Sequence, residues 1–287
     1  MKAPLFSLVC ATLGRSRELD SMMSSLTKQT FSDFELLIVD QNHDERVTEI
    51  VEKYRQLITV IHIRSPLRGL SLHRNIGIRA ASGRYIAFPD DDCEYSPLTL
   101  SIAREVLQRT YKPGLCSIIS LESTCDPAEV KTVSPLSIQR ISERYIFGGN
   151  KFISYTIFCE FDRSVLFDER LGVGSRYQSS EETDYVLRLV SERQGCLYVV
   201  RGFRIYHPYK DLDPRRNFIY GRGMGAFLAK RVRDGKRSLW YAMRISISLL
   251  AKSILRPNSA HSNINYASGI VLGFHEFVSR EPKDDGR

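Results

Sequence analysis

The sequence predicts an α/β fold with a mostly parallel central sheet flanked by helices and a basic helical extension at the C-terminus. Apolar strands alternate with amphipathic helices through the first 95 residues, the pattern of βαβ units. Two of those strands end on acids, Asp40 and the run Asp90-Asp91-Asp92, at the carboxyl edge where open α/β sheets hold ligands. The net charge of +8 is concentrated rather than spread. Residues 201–257 carry 14 Lys or Arg against three Asp, a net of +11, so the rest of the chain sums to −3.

Leu5–Ala11 reads as a buried strand that runs into the turn Thr12-Leu13-Gly14-Arg15. Leu19, Met22, Met23 and Leu26 then hold the i, i+3, i+4, i+7 spacing of a helix, with Ser16 as its expected N-cap. Phe34–Asp40 is a second strand, Val47, Ile50, Val51 and Tyr54 mark a second helix, and Ile58–Ile63 is a third strand. A short helix from about Ser71 to Ala81 leads into the strand that Pro89 stops just before the three aspartates. Leu100, Ala103, Val106 and Leu107 predict a further helix, and Cys116–Leu121 a further strand. Residues 122–150, rich in Ser, Thr and Pro, read as loop. Beyond them lie a strand over Ile153–Phe161, a helix opened by Glu181 and Glu182, and a strand over Leu197–Val200 ahead of His207.

Three adjacent carboxylates repel one another. A hard divalent cation that also meets phosphate oxygens is the functional answer, and a solvated acidic turn the structural one. The six cysteines are scattered, with no C-x-x-C pair, which predicts reduced thiols in a cytosolic protein. Met1-Lys2-Ala3-Pro4 runs straight into a strand, so no secretory signal is expected. No G-x-G-x-x-G follows the first strand and no G-x-x-x-x-G-K-[ST] occurs, which removes most of the case for a dinucleotide-binding domain or a P-loop NTPase.

Taken in order, five signals resemble glycosyltransferase family 2, the inverting nucleotide-sugar enzymes with a GT-A, Rossmann-like fold. They are the Thr12–Arg15 turn, the strand ending in Asp40-Gln41-Asn42, and Arg74-Asn75-Ile76-Gly77-Ile78 before Ala81–Ile86. The Asp cluster and Glu181-Glu182-Thr183-Asp184 complete the series. The segment Tyr220–Ala226 is also similar to the tail of bacterial members that build surface polysaccharides.

The resemblance implies roles. Asp40 accepts the imide N–H of uracil, or else is a turn residue. Arg74 contacts the base or pyrophosphate, with Thr12 on the nucleotide side and Arg15 and Arg68 as vaguer phosphate candidates. The family's D-x-D pattern falls on Asp90 and Asp92. It makes Asp92 the ligand of an Mn²⁺ or Mg²⁺ ion that bridges the donor phosphates, Asp90 a ribose or metal-water contact, and Asp91 the intervening residue. His207 completes the metal site in some relatives. Glu182 takes the position of the catalytic base, with Glu181 and Asp184 as alternatives. The family reads Glu-Asp or Asp-Asp there, so Glu182 departs by one methylene and keeps the carboxylate.

The same reading divides the chain into a catalytic domain over 1–214, with a nucleotide half (1–95) and an acceptor half (96–214), and a basic region over 215–287. Arg215, Arg216, Arg222, Lys230, Arg231, Arg233, Lys236 and Arg237 are interleaved with Phe218, Tyr220 and Phe227. Ser238–Arg256 then reads as a basic helix with Trp240 and leucines opposite, suited to an anionic membrane surface. Tyr266–Phe274 is a further apolar run. The expected partners are a UDP-linked nucleotide-sugar donor, a lipid-linked saccharide acceptor and that membrane surface. The expected location is cytoplasmic, peripheral on the inner face of the cell membrane. Two rivals fit less well. A sugar nucleotidyltransferase needs a Gly-rich, Lys-bearing loop after the first strand, which Thr12–Arg15 is not. A basic nucleic-acid-binding protein leaves the acids at the cleft without purpose, so no nucleic-acid partner is expected.

Overall fold

A computed structural model describes residues 2–131, 134–147, 152–209, 214–235 and 260–280 of the chain. Two compact units are formed. The first comprises Met1–Arg68, Leu72–Phe167 and Tyr185–Tyr209, and the second Gly69–Ser71, Asp168–Asp184 and Lys210–Arg287.

The first unit is built on one eight-stranded sheet. Its opening half is the expected alternation: β1 (Phe6–Thr12), α1 (Arg17–Thr27), β2 (Phe34–Asp40), α2 (Arg46–Tyr54), β3 (Thr59–Arg64), α3 (Leu70–Ala80) and β4 (Tyr85–Ala87). There follow α4 (Thr99–Thr110), β5 (Ser117–Thr124), β6 (Ser137–Ile141), α5 (Glu143–Phe147), β7 (Ile157–Glu160), α6 (Glu181–Glu192, whose residues up to Asp184 fall in the second unit) and β8 (Cys196–Tyr206). The strand order is β3-β2-β1-β4-β7-β5-β8-β6. The first four strands are parallel, β7 enters antiparallel between β4 and β5, and β6 closes the edge antiparallel to β8. Every residue of β2 is buried, as expected of a parallel strand covered on both faces. Leu8, Cys10, Leu36 and Ile38 pack in one core with Leu19, Met22, Met23 and Leu26 of α1. Each such apolar side chain contributes about 1.5–3 kcal/mol on burial.

Several local expectations are corrected. Ser16 does precede α1, but its side chain makes no cap bond; its carbonyl accepts from Asp20 N at 2.9 Å instead. The strand before the aspartates holds only Tyr85–Ala87. Residues 122–150 are not all loop. β5 continues to Thr124, and β6 pairs Ser137–Ile141 with Arg201–Leu197 of β8. That partner lies some sixty residues away in sequence, so a polar edge strand of this kind is invisible to local pattern. β8 is longer than expected, with 11 residues, and its extra length is what carries His207 to the acidic cluster.

In the second unit, α7 (Pro214–Arg233) and the helix over Ala260–Arg280, here α8, pack against one another. The Tyr266–Phe274 run lies inside α8. The contact is made backbone to backbone. A Cβ on Gly225 would stand 2.1 Å from the Ile270 carbonyl oxygen, and one on Gly273 would stand 1.9 Å from that of Arg222. In most helices Gly→Ala gains about 1 kcal/mol. Here Gly273→Ala is expected to cost about 1–3 kcal/mol, because rigid main chain must move apart, and a lowered thermal midpoint checks it.

The basic residues of α7 are largely used within this unit. Arg222 Nε meets Glu276 Oε2 at 2.7 Å, Arg231 is buried, and Arg233 donates to the Phe277 carbonyl at 3.1 Å and lies over its ring. The predicted basic helix Ser238–Arg256 lies outside the described residues. No helix of the described residues is long and apolar enough to cross a membrane.

Candidate active site

The carboxyl ends of β1, β2 and β4 meet by register, since Thr12 stands beside Asp40, and Leu8 beside Ala87. After β4, Pro89 breaks the ladder and a turn closed by Cys93 N on the Asp90 carbonyl (3.2 Å) throws three carboxylates into one place. Each is held differently. Asp90 Oδ1 accepts from Arg74 Nη2 at 3.0 Å and from Ser154 Oγ at 3.2 Å. Asp91 accepts from Thr12 Oγ1 at 2.8 Å and pairs with Arg15. Asp92 Oδ2 lies 2.9 Å from the same guanidinium. Burial pushes the Asp91 carboxyl above its ordinary value; Arg15 and Thr12 pull it back, and Asp92 and Asp90 add to the rise. Three carboxylates face two guanidiniums, so the cluster keeps an excess of negative charge.

His207 arrives from the far side of the sheet. Glu94 and Tyr206 exchange both backbone bonds (3.0 and 3.2 Å), which ties the end of β8 to the chain just past the aspartates. The His207 ring stacks on Tyr155 with centroids 4.6 Å apart. Its Nε2 lies 3.1 Å from Asp92 Oδ1 and 3.8 Å from Asp90 Oδ2, while Nδ1 lies 2.9 Å from the Pro208 carbonyl. A carbonyl only accepts, so Nδ1 carries a proton and Nε2 is the nitrogen aimed at the carboxylates. A proton or a cation between them removes the repulsion that a bare lone pair would meet. Ligand atoms of Asp90, Asp92 and His207 lie within 4.8 Å of one another. Two hard carboxylates and one imidazole fit Mn²⁺ or Mg²⁺ better than a thiophilic metal.

The remaining predicted residues of this unit are also engaged. Arg74 is 2% exposed and lies over the Phe167 ring at 5.3 Å. Asn75 exchanges two bonds with the Phe167 backbone (2.7 and 3.0 Å), and Phe167 stacks on Tyr185 at 4.3 Å with Phe88 edge-on to both. The guanidinium is thereby fixed in direction. Asp40 is fully buried. Its Oδ1 accepts from Asn42 N and Nδ2, both at 2.8 Å, and its Oδ2 faces His62 Nε2 at 3.1 Å. Asn42 Oδ1 in turn accepts from Gly14 N at 2.8 Å, tying this loop to the Thr12–Arg15 turn. Arg68 is exposed. Sequence reasoning missed Phe88, Tyr155, Phe167, Ser154 and His62. Only Phe88, inside the acidic stretch, and Phe167, before the Gly-rich loop, stood near a signal.

Glu181, Glu182 and Asp184 belong to the second unit. Asp184, buried, accepts from Lys230 Nζ at 2.9 Å, and the same ammonium meets Asp168 Oδ2 at 2.7 Å. Arg170 adds two guanidinium bonds (3.0 and 2.7 Å) and one from its backbone N–H (3.0 Å) to Asp168. Burial works against the Asp168 charge, but the Arg170 bonds and Lys230 overrule it and hold the carboxyl well below the usual range. Glu181 is buried beneath Gly172, whose φ of +96° and absent Cβ leave it room: a Cβ there would meet Glu181 Cδ at 3.1 Å. Glu182 is half-buried, the most accessible of the three. Burial pushes the Tyr266 phenol up to about 12, and the Glu182 carboxylate adds to the rise. Ser180, just before α6, has φ +70°, a strained entry for a non-glycine residue.

Lys230→Met takes the ammonium from buried Asp184 and from Asp168, which keeps Arg170. We expect a loss of about 3–5 kcal/mol, measured by denaturant unfolding. The depressed Asp168 pKa stabilises in full above the ordinary value of 3.8, and its contribution is lost as the pH falls below that toward the folded value. The acid limb of the wild-type stability profile should therefore flatten in the variant.

Residues 7–167, more than half of the chain, match the family model "Glycosyl transferase family 2". The GalNAc(5)-diNAcBac-PP-undecaprenol beta-1,3-glucosyltransferase of Campylobacter jejuni is 26% identical over 214 residues, 72% of this chain and 66% of that protein. The chain spans 15–65% of the length of three further curated relatives. The fold is similar to the crystal structure of Staphylococcus aureus TarS 1–349 in complex with UDP-GlcNAc (TM-score 0.56, 15% identity, 96% of this chain and 91% of that one). It is also similar to the mannosyltransferase PcManGT from Pyrobaculum calidifontis in complex with GDP-Man and Mn²⁺ (TM-score 0.62, 13% identity, 98% and 89%). At these identities the likeness is one of fold, and the fold is the expected GT-A architecture. The chain belongs to glycosyltransferase family 2.

Proposed function

We propose that the chain is a metal-dependent, inverting glycosyltransferase. It moves a sugar from a nucleotide donor, UDP-linked, to a lipid-linked saccharide in surface-polysaccharide synthesis (O-antigen, capsule or exopolysaccharide), and it works at the inner face of the cell membrane. The observation that carries this reading is the convergence of Asp90, Asp92 and His207, ligand atoms within 4.8 Å, at the carboxyl edge of a family 2 sheet. The acceptor class is supported by the undecaprenol-linked substrate in the name of the Campylobacter relative.

In this reading Asp90, Asp92 and His207 hold the cation, which when bound supplies Lewis-acid stabilisation to the departing nucleoside diphosphate. Arg15 and Arg74 neutralise the acids around it and face the donor phosphates. Thr12 and Asp91 orient Arg15. Asp40 accepts from the base. Glu182 takes the proton of the acceptor hydroxyl as its oxygen attacks the anomeric carbon; the bond from that carbon to the diphosphate oxygen breaks on the opposite face, inverting the centre.

A thermal-shift screen of UDP- and GDP-sugars with and without Mn²⁺ tests the reading. A UDP-sugar at 100 times its Kd raises stability by about 2.7 kcal/mol, and the shift should need the metal. A protein that no nucleotide sugar stabilises under any metal condition, but that shifts nucleic acid in a salt-sensitive gel assay, overturns it.

A further inference from the structure

The outer face of α8 has no partner among the described residues. Ile264, Val271, Leu272 and Val278 are 47%, 64%, 39% and 56% exposed, and Ile264, Val271 and Val278 recur at seven-residue intervals. Ser268, His275 and Ser279, also exposed, complete the face. Over some 14 residues, about 21 Å of helix, it presents no Asp, Glu, Lys or Arg. The two charged residues of α8 lie elsewhere: Glu276 is drawn to Arg222 at 2.7 Å, and Arg280 stands about 180° in helical phase from Val271. The face cannot rotate inward, because Gly269 and Gly273 lock the other side of the helix onto the α7 backbone; a Cβ on either would meet main-chain oxygen at 2.2 or 1.9 Å.

We infer that this face of α8 inserts into the headgroup boundary of an anionic lipid surface. Uncharged, apolar helix faces beside basic sequence are what interfacial binding uses. The preceding residues 236–259 carry Lys236, Arg237, Arg244, Lys252 and Arg256 and no acid. That charge is attracted to anionic lipid, whereas a second copy of the chain would bring like charge against it. Four exposed aliphatic side chains supply the apolar area that Arg222, Arg231 and Arg233, already used inside the unit, do not. The inference rests on the membrane part of the proposal above and is independent of its sugar chemistry.

The test uses the full chain with phosphatidylcholine vesicles, with and without phosphatidylglycerol. In a Trp240→Phe background, Val271→Trp should show a blue-shifted emission on anionic vesicles alone. Val271→Asp with Val278→Asp should lower vesicle affinity about tenfold or more, since charge must then enter an apolar boundary. Its melting temperature and its shift by a nucleotide sugar should stay at the wild-type value. Equal vesicle binding by wild type and the double variant, or no emission shift, overturns the inference and leaves binding to the basic segment. A wild-type dimer by light scattering that the double variant converts to monomer overturns it in favour of a second copy. Loss of the nucleotide-sugar shift in the wild type would instead count against the enzymatic proposal and leave the vesicle result standing.

Discussion

Asp92→Ala should reduce sugar transfer by about 10²–10³-fold, the scale of removing one preorganised electrostatic contact to a developing oxyanion. The reason is position. Asp92 is the buried carboxylate nearest His207 Nε2, at 3.1 Å, and it also faces Arg15 at 2.9 Å. On the proposed metal reading its removal takes a ligand from the cation, and it leaves Arg15 with Asp91 alone. A defined donor–acceptor assay reads the loss, and a thermal-shift titration with Mn²⁺ separates it from misfolding: the fold should melt cooperatively, but metal and UDP-sugar should no longer raise its midpoint together. Asp91→Asn provides the contrast. It disturbs Arg15 and Thr12 without touching the proposed ligand set, so metal dependence should survive in a slower enzyme. Transfer by Asp92→Ala at the wild-type rate would sink the metal reading.

Glu182→Gln should lower kcat by about 10²–10⁴-fold, the usual contribution of a positioned general base, with little change in donor KM. The side chain keeps its size and loses only the ability to take a proton. The three acids at the start of α6 are told apart by surroundings. Asp184 is committed to Lys230, and its amide variant should appear as a loss of stability. Glu181 is buried under Gly172. Glu182 retains exposed surface from which an acceptor hydroxyl can be met. If Glu181→Gln removes kcat and Glu182→Gln does not, the base has been assigned to the wrong neighbour.

The legibility of the chain follows the range of the interactions involved. The first four strands and three helices are set by local periodicity, and an aspartate that ends a strand is a local fact, so residues 1–95 could be read directly. β6 could not, because its pairing with β8 is a long-range contact between polar segments. His207 was legible as a metal-site candidate only through the family resemblance. Nothing in its neighbours reports that Glu94 and Tyr206 pair, or that Tyr155 lies beneath the ring. The basic count misled in one respect. Sequence adds the charges of Arg222 and Lys230 to a surface, whereas folding pairs them with Glu276, Asp168 and Asp184.

The amino-acid sequence by itself determined the α/β class, the order of the opening elements, the three aspartates at a strand end and the acids that open α6, because each is written in a few adjacent residues. Only the tertiary structure decided how the aspartates divide their work: Asp90 to Arg74, Asp91 to Thr12 and Arg15, Asp92 to Arg15 and His207. It also decided that the glycines of α7 and α8 serve close packing and that one face of α8 stays apolar and exposed among the described residues. These are properties of distance between residues far apart in the chain, and burial and pairing energies exist only once those distances are set.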